Sequence, residues 1–266
     1  MKNFKNKKIG LIGCGIMGQI FLEVLYKTKF FEKICVIEQD LNKIKNLKKK
    51  FSKNVIYSPD LKDAQNCNVI ILAIKPQDFR NFSLKLKNNS LVISIMAGIS
   101  TKEIAKILST KKIIRAMPNM PAKIKKGVIG YFASKNVSKD EKLFAQKLFS
   151  EMGFSFFLSS EKEIDMITAV SGSGPAYIFY IIDCFIKSAY FIGLKGDLAK
   201  KIVLETFKGS LVLVNEKTDF STLIKNVASK GGTTEAALKE FNNSKIDKIW
   251  QKAISSAYKR AQELSK

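Results

Sequence analysis

Short apolar runs alternate with amphipathic runs along the first 160 residues of the chain. Apolar runs of this length are typical of buried strands, and the amphipathic runs between them are typical of helices. The predicted strands are Ile9–Gly13, Ile34–Ile37, Val55–Tyr57, Val69–Ala73, Leu91–Ile95, Ile113–Ala116, Val128–Phe132 and Phe154–Leu158; the predicted helices are Met17–Tyr26, Leu41–Phe51, Thr101–Leu108 and Lys139–Met152. This order predicts an α/β fold over residues 1–160, with a doubly wound, mostly parallel sheet covered by helices on both faces.

After about Glu161 the apolar period becomes that of helices, and strand signals disappear. Residues 161–266 are therefore predicted to form an all-α domain. Its helices are one that opens at Pro175, then Leu198–Val214, Ser221–Ala228, Thr233–Phe241 and Ile246–Leu264. The first of them carries aromatic side chains around most of its circumference, and a helix that is apolar all round has to be buried. We expect a second subunit to cover part of it.

The stretch Ala176–Leu194 is almost long enough to span a bilayer. Asp183 and Lys187 lie inside it at i,i+4 spacing, where they can form an ion pair, and a buried helix of a soluble protein fits this pattern better. The first residues are basic and then apolar, as in a signal peptide, but the apolar part is short and runs directly into a glycine motif. We therefore expect no membrane association.

The formal net charge of +23 raises the question of nucleic-acid binding. Among the 46 basic residues, arginine occurs only at Arg80, Arg115 and Arg260, and the lysines are spread over the whole sequence. Proteins that read nucleic acids favour arginine and concentrate their charge on one face. A general lysine bias explains the charge better, so no nucleic-acid partner is expected.

The chain has four cysteines and no histidine. Cys14, Cys35, Cys67 and Cys184 form neither a CxxC pair nor a metal-binding spacing. A histidine-ligated metal and a histidine-based catalytic triad are excluded, and no metal site is predicted. Reduced thiols in a cytoplasmic protein are the simplest interpretation.

The sequence GLIGCGIMG places Gly13, Gly15 and Gly18 as GxGxxG between the first predicted strand and the first helix. In a Rossmann-like fold the first glycine permits a tight turn, the second lets the backbone approach a pyrophosphate, and the third lets helix and strand pack closely. The N–H groups of the turn and helix start then bind the phosphates, so Cys14, Ile16 and Met17 are also predicted cofactor contacts. A glycine-rich turn without a ligand is the alternative.

Glu38 ends the second predicted strand, 20 residues after Gly18. An acidic residue at this position typically binds the ribose hydroxyls of NADH and repels the 2′-phosphate of NADPH. Asp40 reinforces a preference for NADH, whereas Lys43 and Lys45 can still attract a phosphate. NADH or NADPH is expected as cofactor, with NADH favoured.

Two later turns follow the fourth and fifth strands, in LAIKP and SIMAG. Ligands of doubly wound sheets bind outside the carboxyl ends of the strands, so Ala73, Lys75, Pro76 and Ala97 are predicted to line the cofactor cleft. For Lys75, a solvated surface position is the alternative. Asn119, in the proline-flanked loop of RAMPNMPA, either contacts the nicotinamide carboxamide or belongs to a structural turn.

GLIGCGIMG, AIKP, RAMPNMPA, AVSGSGPAYIF and VASKGGTTEAAL, in this order and at these separations, resemble pyrroline-5-carboxylate reductase along nearly the whole chain. The last two motifs are far more specific than the glycine motif. The resemblance implies NAD(P)H-dependent reduction of 1-pyrroline-5-carboxylate to L-proline, the last step of proline biosynthesis. It also implies a Rossmann domain followed by a helical dimerisation domain, in a homodimer that assembles further in some members.

The resemblance assigns the substrate to SKGGTTEAAL. The substrate carboxylate would lie against the N–H groups of Gly231, Gly232 and Thr233 at a helix start, close to Ser229. Thr234 would be the catalytic residue, with its hydroxyl near the ring nitrogen as hydrogen-bond partner or proton relay. From local sequence alone, the stretch is a helix start in which Thr233 or Thr234 caps free N–H groups.

AVSGSGPAY predicts a turn that leads into a helix capped by Ser171 or Ser173, with Pro175 in its first turn. The functional alternative is that its small residues press against nicotinamide and substrate, and Ser173 is then a substrate contact. Two positions depart from the commonest family pattern: Lys230 replaces a proline and Met120 replaces a threonine. Both bear on ligand affinity rather than on the reaction, because neither removes a group that the chemistry requires.

Three other functions are compatible with parts of the sequence. A 3-hydroxyacid dehydrogenase shares the N-terminal pattern but needs a catalytic lysine on the first helix after the sheet, where Lys187 is the lysine available. A non-catalytic dinucleotide sensor would bind NADH without turnover. A basic nucleic-acid binder would show salt-dependent binding.

Overall fold

The computed structural model describes residues 7–82, 84–86 and 89–265. The chain forms two compact units. Unit 1 contains the residues up to Ser173 together with those from Ala257 onward, and unit 2 is Gly174–Ser256. The sequence predicted a boundary between the two domains at residues 160 and 161.

Unit 1 is built on one eight-stranded sheet. The strands are β1 Lys8–Ile12, β2 Lys33–Ile37, β3 Val55–Ser58, β4 Val69–Leu72, β5 Leu91–Ser94, β6 Ile113–Met117, β7 Gly127–Ala133 and β8 Gly153–Phe157. Their order is β3-β2-β1-β4-β5-β6-β7-β8, and every neighbouring pair is parallel except β6 and β7. All eight predicted strands are present, and the predicted fold class is confirmed.

Alternate side chains of the strands enter two hydrophobic cores, because successive residues of a strand point to opposite faces. Leu11 and Ile71 pack with helix residues such as Phe21 on one face. Ile12 and Leu72 lie in the core of the other face. The central strands are buried on both faces, which is why they read as continuous apolar runs.

The helices of unit 1 largely coincide with the predicted ones. They are α1 Ile16–Thr28, α2 Leu41–Lys50, α3 Pro76–Arg80, α4 Thr101–Leu108, α5 Lys139–Ser150 and α6 Glu163–Ile167. Helices α3 and α6 were not predicted from the sequence, and neither were two 3₁₀ turns at Leu61–Ala64 and Met120–Ile124. Segments of four or five residues are too short to show a helical period.

Unit 2 is helical throughout, as predicted. Its helices are α7 Gly174–Phe191, α8 Gly196–Val212, α9 Phe220–Val227, α10 Thr233–Asn243 and the first part of α11 Ile246–Leu264. Its own buried core is small and centres on Ala189, Ala199 and Val203. Large apolar side chains remain exposed instead, with Phe191 at 91% and Val212 at 85%. This agrees with the expectation that another subunit contributes to its burial.

One helical run among the described residues is long and apolar enough to cross a membrane by length and composition alone. It is Glu163–Phe191, in which an 18-residue window has a mean hydropathy of 1.3. Asp183 and Lys187 form the predicted ion pair within it, at 2.6 Å between Oδ2 and Nζ.

Candidate functional site

The glycine loop between β1 and α1 has the geometry that dinucleotide binding requires. Gly13 has φ +87°, and a Cβ there would lie 2.6 Å from the carbonyl oxygen of Ala73. A Cβ on Gly18 would lie 2.2 Å from the carbonyl oxygen of Gly13, so both positions exclude a side chain. Gly15 is the N-cap of α1, and apart from Gly15 itself and its chain neighbours no described atom lies within 4 Å of its Cβ position; no side chain caps this helix. The first turn of α1, with Ile16 and Met17, therefore offers backbone N–H groups to a phosphate from an open side.

The Glu38 carboxylate, at the end of β2, is held by three donors. Oε2 accepts from the Cys14 N–H at 3.1 Å and from the Lys43 ammonium at 2.9 Å, and Oε1 accepts from the Asp40 N–H at 3.2 Å. Burial raises the pKa of the Glu38 carboxyl, but these hydrogen bonds outweigh it and hold the pKa below its usual value. The carboxylate is thus charged and fixed in direction.

A pocket of about 380 Å³ adjoins this carboxylate at the carboxyl ends of β1 and β2. Gly13, Ile37, Glu38, Ile74 and Asp78 are among its lining residues. Two apolar walls and two carboxylates are suited to an adenosine group, whose hydroxyls need acceptors. Lys43 is not one of the lining residues, but its ammonium group forms an ion pair with Glu38. This contact was not predicted from the sequence.

The contact that Cys14 makes with Glu38 comes from its backbone N–H and not from its thiol. Burial, and secondarily the charge of Glu38, raise the pKa of the thiol to about 12. The thiol is therefore protonated and unreactive at neutral pH. The Cys14 N–H is already bonded to Glu38.

The turns after β4 and β5 lie where the sequence places them. Lys75 is the exposed N-cap of α3, and Pro76 is the first residue of that helix. Ala97 is half-buried beside Gly98, which has φ +73°. A Cβ on Gly98 would lie 2.5 Å from the backbone of Leu264, so the end of α11 packs directly on this turn.

Asn119 is buried and joins the loop after β6 to the helical run 163–191. Its Nδ2 donates to the carbonyl oxygen of Ser171 at 3.0 Å, and its Oδ1 accepts from the Val128 N–H at 2.9 Å. Pro175, four residues after Ser171, has no N–H to donate to that carbonyl. Asn119 supplies the missing donor, which is the structural alternative that the sequence left open.

The prediction for AVSGSGPAY is correct in part. Pro175 lies in the first turn of α7, which begins at Gly174, as predicted. The predicted turn before that helix is wrong, because Thr168–Gly172 form a π-helical turn directly after α6. The Ser171 hydroxyl donates back to the Ile167 carbonyl oxygen at 3.2 Å. The Ser173 N–H donates to the Thr168 carbonyl oxygen at 2.9 Å, five residues earlier, as in a π turn. Ser173 follows this turn as the last residue before unit 2.

The loop of SKGGTTEAAL begins α10, but neither threonine caps it. The N-cap is Gly232 without a side-chain cap bond, and Thr233 is the first helical residue. Gly231 has φ +72°, which favours glycine, and its N–H donates to Oε2 of Glu235 at 2.7 Å. The predicted threonine cap is therefore wrong. The Glu235 carboxylate, in the first turn of α10, bonds the loop instead of a threonine hydroxyl.

A pocket of about 770 Å³ lies at this loop within unit 2. Gly231, Gly232 and Glu235 line it together with Lys225 and Lys239. Ser229 packs beneath Gly232, whose Cβ position is 2.5 Å from the Ser229 hydroxyl oxygen. Thr234 is half-buried and Thr233 exposed, and neither is part of the lining. The pocket combines a helix start with lysines, an arrangement that suits a small carboxylate.

A buried ion pair, absent from the sequence analysis, connects α4, β6 and the segment before α6. The Glu161 carboxylate accepts from Arg115 Nη1 at 2.9 Å and from the N–H and hydroxyl of Thr101, both at 2.7 Å. Burial raises the pKa of Glu161, but these hydrogen bonds, that from Arg115 foremost, lower it below its usual value overall. Residues far apart in sequence give no local signal for such a cluster. No group of possible metal ligands occurs among the described residues.

Comparisons with known proteins cover nearly the whole chain. Residues 161–264 match the family model for pyrroline-5-carboxylate reductase dimerisation, and residues 8–98 match that for NADP oxidoreductase, coenzyme F420-dependent. A curated pyrroline-5-carboxylate reductase of Haemophilus influenzae is 34% identical over 271 residues, covering 98% of each chain.

Two solved structures extend the comparison. The pyrroline-5-carboxylate reductase of Coxiella burnetii is 33% identical with a TM-score of 0.82, over 98% of this chain and 100% of that one. The pyrroline carboxylate reductase of Plasmodium falciparum, with NADP bound, is 26% identical with a TM-score of 0.84, over 99% of this chain and 100% of that one. On the full-length identity and the shared fold, the chain belongs to the pyrroline-5-carboxylate reductase family.

Proposed function

We propose that this protein reduces 1-pyrroline-5-carboxylate to L-proline with NADH or NADPH, the last step of proline biosynthesis. The observation that carries the proposal is the full-length agreement with pyrroline-5-carboxylate reductases, at 34% identity to the Haemophilus influenzae enzyme. The open glycine loop before α1 and the glycine loop before α10 support the proposal, since they would serve as the two ligand sites that the reaction needs.

The cofactor site of the proposal consists of α1 and the surrounding strand ends. The first turn of α1 would bind the pyrophosphate, and Glu38 would accept from the ribose hydroxyls. Ala73, Lys75, Pro76 and Ala97 would border the cleft toward the nicotinamide. When bound, the dinucleotide supplies the hydride that the C=N carbon of the substrate accepts.

The substrate site of the proposal is the loop before α10. The N–H groups of Gly231, Gly232 and Thr233 would hold the substrate carboxylate, with Ser229 supporting the loop and Ser173 as a further contact. This orients the ring so that its C=N carbon meets the hydride. A protonated imine is already electrophilic, so the absence of histidine is no obstacle.

Thr234 is the proposed catalytic residue, with its hydroxyl near the ring nitrogen. A general-acid contribution is worth ~10²–10⁴-fold, and a protonated imine needs the low end of this range. Thr234→Ala should lower kcat modestly and leave NADH binding intact, as measured by initial rates and by fluorescence titration of NADH. Unchanged steady-state kinetics would remove Thr234 from the mechanism.

We infer a preference for NADH from Glu38. A 2′-phosphate next to this carboxylate would meet a like charge, whereas ribose hydroxyls find an acceptor. Glu38→Ala should narrow the ratio of kcat/KM for NADH to that for NADPH. If the ratio stays the same in the variant, Glu38 does not determine the preference.

We also propose a cytoplasmic homodimer formed through unit 2. The support is the match to a dimerisation model and the exposed apolar side chains such as Phe191 and Val212. Light scattering after size-exclusion chromatography should give at least twice the chain mass of 29.8 kDa. A monomer at micromolar concentration would refute this, and a larger multiple would show further assembly.

The test of the main proposal is the loss of absorbance at 340 nm when purified protein receives pyrroline-5-carboxylate with NADH, and separately with NADPH. Turnover with neither cofactor refutes it; NADH binding without turnover would indicate a sensor. A 3-hydroxyacid dehydrogenase is disfavoured because Lys187 is paired to Asp183 at 2.6 Å. Absence of a gel shift at physiological salt would confirm that no nucleic acid is bound.

A further inference from the structure

The N–H group of Gly231 already has an anionic partner in the structure. Oε2 of Glu235 accepts from it at 2.7 Å. Under the proposed function, the same N–H is one of those that bind the substrate carboxylate. One N–H cannot serve two carboxylates well, and two like charges at a helix start repel each other.

The position of Glu235 explains why it reaches the loop. Glu235 is the third residue of α10, in its first turn, where the helix dipole favours a negative charge. The positive φ of Gly231 turns its N–H toward that first turn. The internal carboxylate therefore keeps the loop in the shape that an incoming carboxylate needs, and it satisfies the N–H until that ligand arrives.

Lys239 gives the displaced carboxylate a new partner. It follows Glu235 by four residues on α10 and lines the same pocket. A glutamate four residues before a lysine is the favourable orientation for an ion pair on a helix. Lys239 forms no ion pair in the part of the chain that the structure describes.

We propose that Glu235 is an internal substitute for the substrate carboxylate: it occupies the Gly231 N–H in the free enzyme and moves to Lys239 when substrate binds. Glu235 thereby sets the affinity for the substrate without touching the reacting atoms. This inference rests on the proposed function. It makes Glu235 and Lys239 a specificity device, because a ligand must bind well enough to displace an anion already in place.

The test compares Glu235→Gln with Glu240→Gln, which removes the same charge from the same helix at an exposed position outside the pocket lining. Glutamine keeps an acceptor for the Gly231 N–H but no longer competes as an anion. In Glu235→Gln, KM for pyrroline-5-carboxylate should fall about fivefold, the factor for two unit charges ~4 Å apart in water. The effect should lie in KM rather than kcat, and Glu240→Gln should keep the wild-type KM.

A second comparison tests the movement to Lys239. Lys239→Met should raise KM for the substrate several-fold in the otherwise wild-type chain, and by a clearly smaller factor in the Glu235→Gln variant. An unchanged or higher KM in Glu235→Gln, with wild-type turnover present, overturns the inference and leaves Glu235 as a helix cap. Absence of wild-type turnover with both cofactors refutes the proposed function itself, and the inference with it.

Discussion

Replacing Glu161 by glutamine should destabilise unit 1 strongly, because it removes the charge that balances a buried arginine. The Arg115 side chain is 3% exposed, and its Nε and Nη2 atoms are buried without a hydrogen-bond partner among the described residues. Nη1 donates to Glu161 at 2.9 Å. The variant would leave this guanidinium without the carboxylate that is hydrogen-bonded to it and would weaken the bonds to Thr101.

The magnitude follows from the burial of the pair. Removing one partner of a buried ion pair typically costs ~3–5 kcal/mol. The Glu161 side chain is 27% exposed, so the low end applies, about 3 kcal/mol. At ~1.4 kcal/mol per decade this is about two orders of magnitude in the unfolding equilibrium constant.

Urea unfolding at one fixed protein concentration measures this difference. Glu151→Gln is the matched control, since Glu151 is 45% exposed and lies 4.0 Å from Lys125; exposed pairs contribute less than about 1 kcal/mol. The combined variant Arg115→Met/Glu161→Gln should recover part of the loss, because an apolar replacement leaves no buried charge. A loss below 1 kcal/mol in Glu161→Gln would refute the argument.

The pH dependence gives an independent check. The folded-state pKa of Glu161 is lowered from its usual 4.5, so the stability that it contributes is fully present above that pH. The contribution is lost as pH falls through the lower folded-state pKa. The difference between wild type and Glu161→Gln should therefore shrink below about pH 4.5, and a difference that persists through acid unfolding would contradict the assignment.

Three further variants test other contacts. Asn119→Ala leaves the Ser171 carbonyl and the Val128 N–H without their partner, and calorimetry should show a loss of about 2 kcal/mol; an unchanged Tm would deny the structural role. Gly98→Ala forces a Cβ against Leu264 at φ +73° and should raise KM for NADH, since Ala97 moves with the turn; wild-type kinetics would contradict this. Lys43→Met removes the ammonium group that is paired to the Glu38 carboxylate and should lower kcat/KM for NADPH about fivefold relative to NADH. An equal effect on kcat/KM for both cofactors would contradict this role of Lys43.

The sheet was predictable because its pattern is local. Ile70 and Leu72 face one core while Ile71 faces the other, so the strand reads as continuously apolar. The glycine loop was also predictable, since the positive φ of Gly13 and the close approach of Gly18 to the Gly13 carbonyl oxygen belong to one strand-turn-helix unit. Those signals lie in neighbouring residues and need no knowledge of the rest of the chain.

The parts that could not be predicted depend on distant residues or on competition between groups. The π turn contains Ser171, whose carbonyl oxygen accepts from Asn119, 52 residues away in sequence. Arg115 and Glu161 meet across a similar separation. The contact of Glu235 is local, so distance does not explain why it was not predicted. A glutamate in the third helical position is a known capping signal, but threonine is also a preferred capping residue, and the sequence does not decide between them.

The return of the chain to unit 1 from Ala257 onward has a consequence for synthesis. Leu264 covers Gly98, and the Ser265 hydroxyl donates to Asp165 at 3.0 Å. At ~5–20 residues per second, the ribosome needs about ten seconds to make the intervening helical unit. Until then, the Gly98 turn has no cover in the nascent chain. Unit 1 is therefore begun first and completed only after unit 2, which interrupts it in sequence.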